Sequence, residues 1–295
     1  MNPKVSIIMI TYNQEQYIEQ AVESVMMQQT DFPFKVFVGE DCSTDRTAEI
    51  LKDLEKKHPD NLKVIYRPEN LGGGINFLET SLFAEGEYVA VLEGDDYWVC
   101  PHKLQKQVDF FDKNPDHAIC FSRTEVYHLG INPNKVHLVR PSFEFDKKFF
   151  TIETLLAEKS FMSTPSIMYR FSNFYKVTRL LYNDPQRGYN TDTVLNILNA
   201  QYGKIGFIDE VLAAYRFASC PDSWSNKPMK DKIKININCR KLLKKHISAE
   251  YKSLLEKNLK NWEKRYRNYK YKMFWENFLN LVKINKKGVE NDSRY

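Results

Sequence analysis

Tyr88-Val89-Ala90-Val91-Leu92-Glu93-Gly94-Asp95-Asp96-Tyr97-Trp98 is the stretch on which the reading of this chain turns. Val89 to Leu92 is a short apolar run bounded by glycine and charge, the pattern of a strand covered on both faces. It ends in three carboxylates. Crowded at the mouth of a buried strand, they repel one another, and a cation or a ligand rich in hydroxyl and phosphate groups would relieve that repulsion. A solvated acidic turn is the plain alternative. The position favours a ligand, because open α/β sheets bind at the carboxyl ends of their strands.

Working outward, Lys4 to Ile10, Phe34 to Val38 and Lys63 to Tyr66 read as further strands from their β-branched and aromatic content. Between them apolar residues keep helical spacing: Ile18, Ala21, Val22, Val25 and Met26 within Gln14–Gln29, then Ile50, Leu51 and Leu54, then Ile75, Leu78 and Leu82. Ser43 or Thr44 is placed to cap the second helix. Strands alternating with helices require helical crossovers, so the fold class is α/β, a doubly wound, mostly parallel sheet of the kind that binds nucleotides. Beyond Trp98, a helix is expected over Pro101–Asn114, a strand over Ala118–Val126 and an irregular polar connection over residues 128–149. A helix at Thr151–Lys159 and a strand at Ser166–Arg170 follow. Asp192–Tyr202 reads as a helix closed by Gly203, with two short strands after it, Lys204–Ile208 and Leu212–Phe217.

A chain of 295 residues accommodates one large domain with an appendage, and 14% aromatic residues exclude a disordered polymer. No apolar run approaches the roughly 18 residues that span a bilayer. A cytoplasmic protein is expected, with its five cysteines as free thiols, since neither they nor the six histidines show zinc or disulfide spacing. The net charge of +5 is unevenly distributed. Residues 1–226 carry 23 Lys+Arg against 31 Asp+Glu, a net of −8, whereas residues 227–287 carry 19 against 5, a net of +14. This sets a boundary near Asn226–Pro228 between a globular domain, 1–226, and a basic, aromatic helical extension, 227–295. In the extension Trp262, Tyr266, Tyr269, Met273 and Phe274 interleave with lysine and arginine. Either that aromatic stripe packs on the core, or the helices dock peripherally on an anionic membrane surface at its cytoplasmic face. No nucleic-acid partner is expected.

Four pieces, in order, resemble the signatures of inverting family 2 glycosyltransferases of the GT-A fold. They are Val5-Ser6-Ile7-Ile8-Met9-Ile10-Thr11-Tyr12-Asn13, Glu40-Asp41-Cys42-Ser43-Thr44-Asp45, Glu93-Gly94-Asp95-Asp96 and Asn190-Thr191-Asp192. The resemblance covers residues 4 to about 217. It implies a GT-A fold with a small additional sheet, a nucleotide-binding half over about 1–100 and an acceptor half over about 101–226. The implied reaction moves a sugar, with inversion, from a nucleotide-sugar donor, expected to be UDP-linked, to a hydroxyl of a glycan or lipid-linked acceptor in bacterial surface-polysaccharide synthesis.

By that resemblance Asp41 binds the nucleobase, and Thr11 and Tyr12 stand at adjacent strand ends where they could assist; a helix-capping turn is the plainer reading of Asp41, and both can hold at once. Asp95 and Asp96 match a DxD-like metal motif with Glu93 in its first acidic position, and hard oxygen ligands suit Mn²⁺ or Mg²⁺. Arg67, at the end of the third strand, could meet a phosphate or be an ordinary surface arginine. Asp192 is the expected catalytic base, although an aspartate before an apolar helical pattern is also a capping signal; Asp184 and Asp209 are secondary candidates. The chain departs from the family pattern at Ile10, commonly proline, at Glu93, commonly aspartate, and at Ala218, commonly histidine. Trp224-Ser225 also falls later than expected, which suggests an altered loop over the donor. Ala218 and Glu93 raise an alternative, a non-catalytic nucleotide-sugar-binding subunit of a membrane-associated assembly, against which stands the joint presence of Asp41, Asp95, Asp96 and Asp192.

Overall fold

The computed structural model describes residues 2–129, 134–141, 149–157, 161–184, 191–217 and 226–291. The β-branched runs form parallel strands β1 (Val5–Thr11), β2 (Phe34–Glu40), β3 (Leu62–Tyr66) and β4 (Tyr88–Glu93). The intervening crossovers are α1 (Ile18–Met26), α2 (Thr47–Lys57) and α3 (Gly73–Ser81). Alternate residues of the central strands feed two apolar clusters, one on each face of the sheet. Ile7, Met9, Ala90 and Leu92 pack with Ile18, Val22 and Leu51, while Ile8, Val89 and Val91 pack with Phe77 and Leu78. Burial on both faces is why these strands read as continuous apolar runs.

The second half adds β5 (Tyr97–Trp98), α4 (Lys103–Lys113), β6 (His117–His128), β7 (Val136–Arg140), β8 (Phe149–Phe150), α5 (Ile152–Ala157), β9 (Met168–Arg170), α6 (Phe171–Tyr182), α7 (Thr191–Asn199) and β10 (Lys204–Phe217). The sheet runs β3-β2-β1-β4-β9-β6-β10-β5, with β7 on β6 and β8 on β10. Short β9 is antiparallel to both β4 and β6 and joins the halves.

Several expectations are corrected in detail. The two short strands after Gly203 are one strand, β10, whose pairing with β6 shifts register between Ile208 and Val211 and again before Ala213, so the polar Asp209-Glu210 is a bulge rather than a break. The connection read as irregular contains β7. Helix α6 was not expected, yet Phe174, Val177, Thr178 and Leu181 bury one stripe of it. Gly203 follows a 3₁₀ turn in extended, not left-handed, backbone; its need for glycine is steric, because a Cβ there would fall 2.5 Å from the Asp116 carbonyl oxygen. Neither Ser43 nor Thr44 caps α2: its N-cap is Arg46, without a side-chain capping bond, and Asp45 Oδ1 accepts from the Thr47 N–H at 2.9 Å.

The basic extension forms α8 (Met229–His246) and α9 (Lys252–Asn291). Helix α8 buries Ile233, Ile237, Cys239, Arg240, Leu242 and Leu243. Cys239, Leu242 and Leu243, with Ile247 and Leu255, belong to the same apolar cluster as Phe174, Val194 and Leu195. Trp262 lies half-buried with the Arg240 guanidinium 5.1 Å from its ring centroid. No helix among the described residues is long and apolar enough to cross a membrane. Cys42, Cys100, Cys120 and Cys239 are free thiols.

Because Leu243 is fully buried in that shared cluster, Leu243→Ala should lower unfolding free energy by about 2–5 kcal/mol. Urea denaturation followed by circular dichroism measures this, and a change near zero would mean that α8 does not belong to the folded core.

Candidate active site

Register places the candidate residues. Thr11 pairs with Glu40 across β1 and β2, and Ile10 pairs with Glu93 across β1 and β4, so three parallel strands end at one edge. One more bond extends each ladder: the Asp41 N–H donates to the Thr11 carbonyl at 3.1 Å, and the Gly94 N–H to the Ile10 carbonyl at 2.9 Å. A Cβ at Gly94 would lie 2.8 Å from that of Thr11, so this close approach requires glycine. Asp41 and the acidic turn thus stand two strand spacings apart, roughly 10 Å.

The loops after β1 and β2 are laced together. Thr44 N–H donates to Asn13 Oδ1 at 2.8 Å, Asn13 N–H to Ser43 Oγ at 3.0 Å, and Gln14 N–H to Thr47 Oγ1 at 2.8 Å. Tyr12 is half-buried at this junction, and Thr11 Oγ1 donates to Gln14 Oε1 at 2.8 Å. Asp41 is 1% exposed; its Oδ1 accepts from the Leu71 N–H at 2.9 Å, while its Oδ2 is buried without a hydrogen-bond partner. A buried carboxylate oxygen left open is costly unless a ligand donates to it.

At the end of β4, ligand oxygens of Glu93, Asp95 and Asp96 lie within 4.8 Å of one another. Asp96 is wholly buried: its Oδ1 accepts from the Arg216 N–H at 2.8 Å, and its Oδ2 has no partner. Burial, then repulsion from Asp95 and Asp192, pushes the Glu93 carboxyl up to about 8. Burial and the charges of Asp95 and Glu93 also push Asp96 well above the usual carboxylate range. An orphaned oxygen, three converging carboxylates and raised proton affinity fit a divalent cation, whose charge would reverse each of these penalties.

Asp192 opens α7 close enough to Glu93 for their charges to be felt. Burial raises its carboxyl above the ordinary range, against hydrogen bonding from Thr193 and the opposing charge of Arg240. The site therefore brings Thr11, Tyr12, Asp41, Glu93, Asp95, Asp96 and Asp192 to one edge of the sheet.

Arg67 follows β3 at this edge, its N–H donating to the Glu40 carbonyl at 2.9 Å, but its guanidinium is turned to α3. Its Nε, Nη1 and Nη2 donate to Asn76, Glu79 and Thr80 at 3.0, 3.0 and 3.1 Å, locking α3 to the end of β3. The guanidinium serves the scaffold. Asp184 is held by His246 at 2.8 Å and by Lys245, and Asp209 pairs with Arg123 on the far bulge of β10. Neither stands with the acidic turn. Asn190, Ala218 and Trp224 lie outside the described residues. The sequence reading missed Arg216, which touches the turn directly; its only signal was the Tyr215-Arg216 pair at the end of a strand.

Beneath the turn, Trp98 is nearly inaccessible. Its backbone N–H donates to Ser24 Oγ at 3.1 Å and its indole N–H to the Pro165 carbonyl at 2.9 Å. The Lys103 ammonium lies 4.1 Å from the ring centroid and donates to Gln107 Oε1 at 2.6 Å. Burial pulls Lys103 down to about 7.

The chain belongs to the family described as glycosyl transferase family 2, whose model matches residues 6–178. An uncharacterised protein of Mycobacterium tuberculosis is 34% identical over 212 residues, which make up 72% of this chain but 58% of the relative. TarS of Staphylococcus aureus, a poly(ribitol-phosphate) β-N-acetylglucosaminyltransferase, is 35% identical over 132 residues, covering 43% of this chain and 22% of TarS. Its fragment 1–349, crystallised with UDP-GlcNAc, superposes with a TM-score of 0.65 at 21% identity, over 88% of this chain and 71% of the fragment. A Pyrobaculum calidifontis mannosyltransferase in complex with GDP-Man and Mn²⁺ superposes with a TM-score of 0.59 at 17% identity, over 87% and 69% of the two chains. The expected GT-A architecture with a helical carboxyl-terminal region is therefore the fold of this chain.

The buried lysine sets a stability signature. Unfolded lysine keeps its proton to about pH 10.4, whereas folded Lys103 releases it near 7. Over that interval the unfolded state binds more protons, so this group makes stability rise with pH. Urea midpoints from about pH 7 to 9.5 should increase in the wild type and lose part of that slope in Lys103→Met; an unchanged slope would refute the assignment.

Proposed function

We propose that the chain is an inverting glycosyltransferase moving a sugar from a UDP-linked donor to a hydroxyl of a glycan or lipid-linked acceptor in surface-polysaccharide synthesis. The observation that carries this reading is the shared strand edge, where the open Asp41 oxygen, the Glu93–Asp95–Asp96 cluster and Asp192 converge. Asp41 Oδ2 accepts a ring N–H of the nucleobase, with Thr11 and Tyr12 beside it. Asp95 and Asp96, with Glu93, would hold Mn²⁺ or Mg²⁺. When bound, the cation offsets charge accumulating on the departing nucleoside diphosphate.

Asp192 takes the acceptor hydroxyl's proton as the acceptor oxygen bonds to the anomeric carbon and the bond from that carbon to the phosphate oxygen breaks. Displacement by one acceptor inverts the configuration. A carboxylate raised by burial is a better base near neutrality than a solvated one, which suits this task. TarS, named as an N-acetylglucosaminyltransferase and crystallised with UDP-GlcNAc, supports a UDP-linked N-acetylhexosamine or hexose as donor. The putting-down of polymer at a membrane gives a role to α8 and α9. Lys241, Lys257, Lys260 and Lys264 are exposed on these helices, a charge suited to anionic lipid.

The reaction is tested with UDP-GlcNAc and related UDP-sugars, Mn²⁺ and a panel of glycan and lipid-linked acceptors. Asp192→Asn should lower kcat by about 100-fold or more while UDP affinity is kept. Full transfer by Asp192→Asn would refute the assigned base; donor binding by the wild type without turnover on any acceptor would favour a non-catalytic binder.

A further inference from the structure

Arg216, the penultimate residue of β10, is 8% exposed and joins three elements. Its backbone N–H donates to Asp96 Oδ1 at 2.8 Å. Its Nη1 donates to the Asp95 carbonyl oxygen at 2.5 Å, and its Nη2 to Gln20 Oε1 on α1. The guanidinium carbon lies 4.9 Å from the Tyr17 ring centroid and 4.5 Å from that of Tyr97, so one aromatic residue before α1 and one from β5 hold it. We infer that Arg216 is a positioning residue: it clamps the Asp95–Asp96 turn to α1 and orients Asp96 so that Oδ2 alone is presented to a cation. This rests on the proposed cation site at that turn.

The physical need for such a clamp comes from the cluster. Three carboxylates with their oxygens within 4.8 Å of one another repel, and the turn carrying two of them would relax by swinging Asp95 outward. A planar guanidinium bonded to the main-chain oxygen of Asp95 opposes that swing. The backbone N–H satisfies the other oxygen of Asp96, fixing the plane of its carboxylate. Lysine offers one point charge on a flexible stem and cannot reproduce a fork that reaches Asp95 and Gln20 together.

The sign of the effect separates a clamp from a bystander charge. As a cation near a cation site, Arg216 opposes metal binding by Coulomb repulsion, so its removal would by charge alone tighten Mn²⁺ binding. A clamp predicts the reverse. Loss of an outer partner of a metal ligand typically weakens metal affinity by about 10–100-fold.

The experiment measures Mn²⁺ binding by the full chain without nucleotide, by electron paramagnetic resonance of free Mn²⁺. The variants are Arg216→Met, Arg216→Lys and Gln20→Ala. Gln20 is an exposed α1 residue, and its replacement tests the clamp even if the arginine variants fail to fold. Both arginine variants should bind Mn²⁺ at least about tenfold more weakly than wild type. Gln20→Ala should weaken binding in the same direction by a smaller factor, with the metal-free melting temperature unchanged. Wild-type affinity in Gln20→Ala, tighter binding in Arg216→Met or full rescue by Arg216→Lys would overturn the clamp. No Mn²⁺ binding by the wild type would overturn the cation site and the clamp with it.

Discussion

Repulsion among Glu93, Asp95 and Asp96, whose oxygens converge within 4.8 Å at the end of a buried strand, is the constraint on which the site depends. Water cannot screen Asp96, which is wholly buried, and Asp192 adds its charge to that of Glu93 from the first turn of α7. Such an arrangement raises proton affinity in the free protein and creates a strong preference for a cation. The parallel register of β1, β2 and β4 brings the strand ends level, so that Asp41 and this cluster face the same edge two strands apart. The packing of Trp98 against Ser24, Pro165 and Lys103 and the reach of Arg216 from β10 then tie the turn to both halves of the molecule.

The basic helices contribute to the scaffold as well as to charge. Leu243 and Ile247 share an apolar cluster with Leu195 and Leu198 of α7, the helix whose first turn carries Asp192. Arg240, buried on α8 and bonded to Asn258 of α9 at 2.9 Å, adds an opposing charge near Asp192. A segment distinguished in sequence by its net charge thus supports the Asp192 side of the site through its apolar face.

The parallel half was legible because its strands are buried on both faces and its helices on one, and both conditions leave clear patterns in sequence. Glu93, Asp95 and Asp96 were legible because charge at the end of an apolar run is unusual. What escaped is set by tertiary contact. Arg67 has the composition of a phosphate ligand, but its direction depends on Asn76, Glu79 and Thr80, which only the packing of α3 places beneath it. Arg216 is 120 residues from Asp96, and no local periodicity connects them. β10 looked like two strands because a bulge displaces Asp209 and Glu210 outward, and α6 was hidden by polar and aromatic residues interspersed along its apolar stripe.

The central claim is that the acidic edge binds a cation which in turn binds the diphosphate of a uridine nucleotide. Its most direct test is the thermal shift produced by UDP in the presence of Mn²⁺ and in excess EDTA. Because a ligand that binds only the folded state raises apparent stability, UDP should raise the melting temperature markedly with Mn²⁺ and far less with EDTA. An equal shift in both conditions, or no shift with Mn²⁺, would contradict the account.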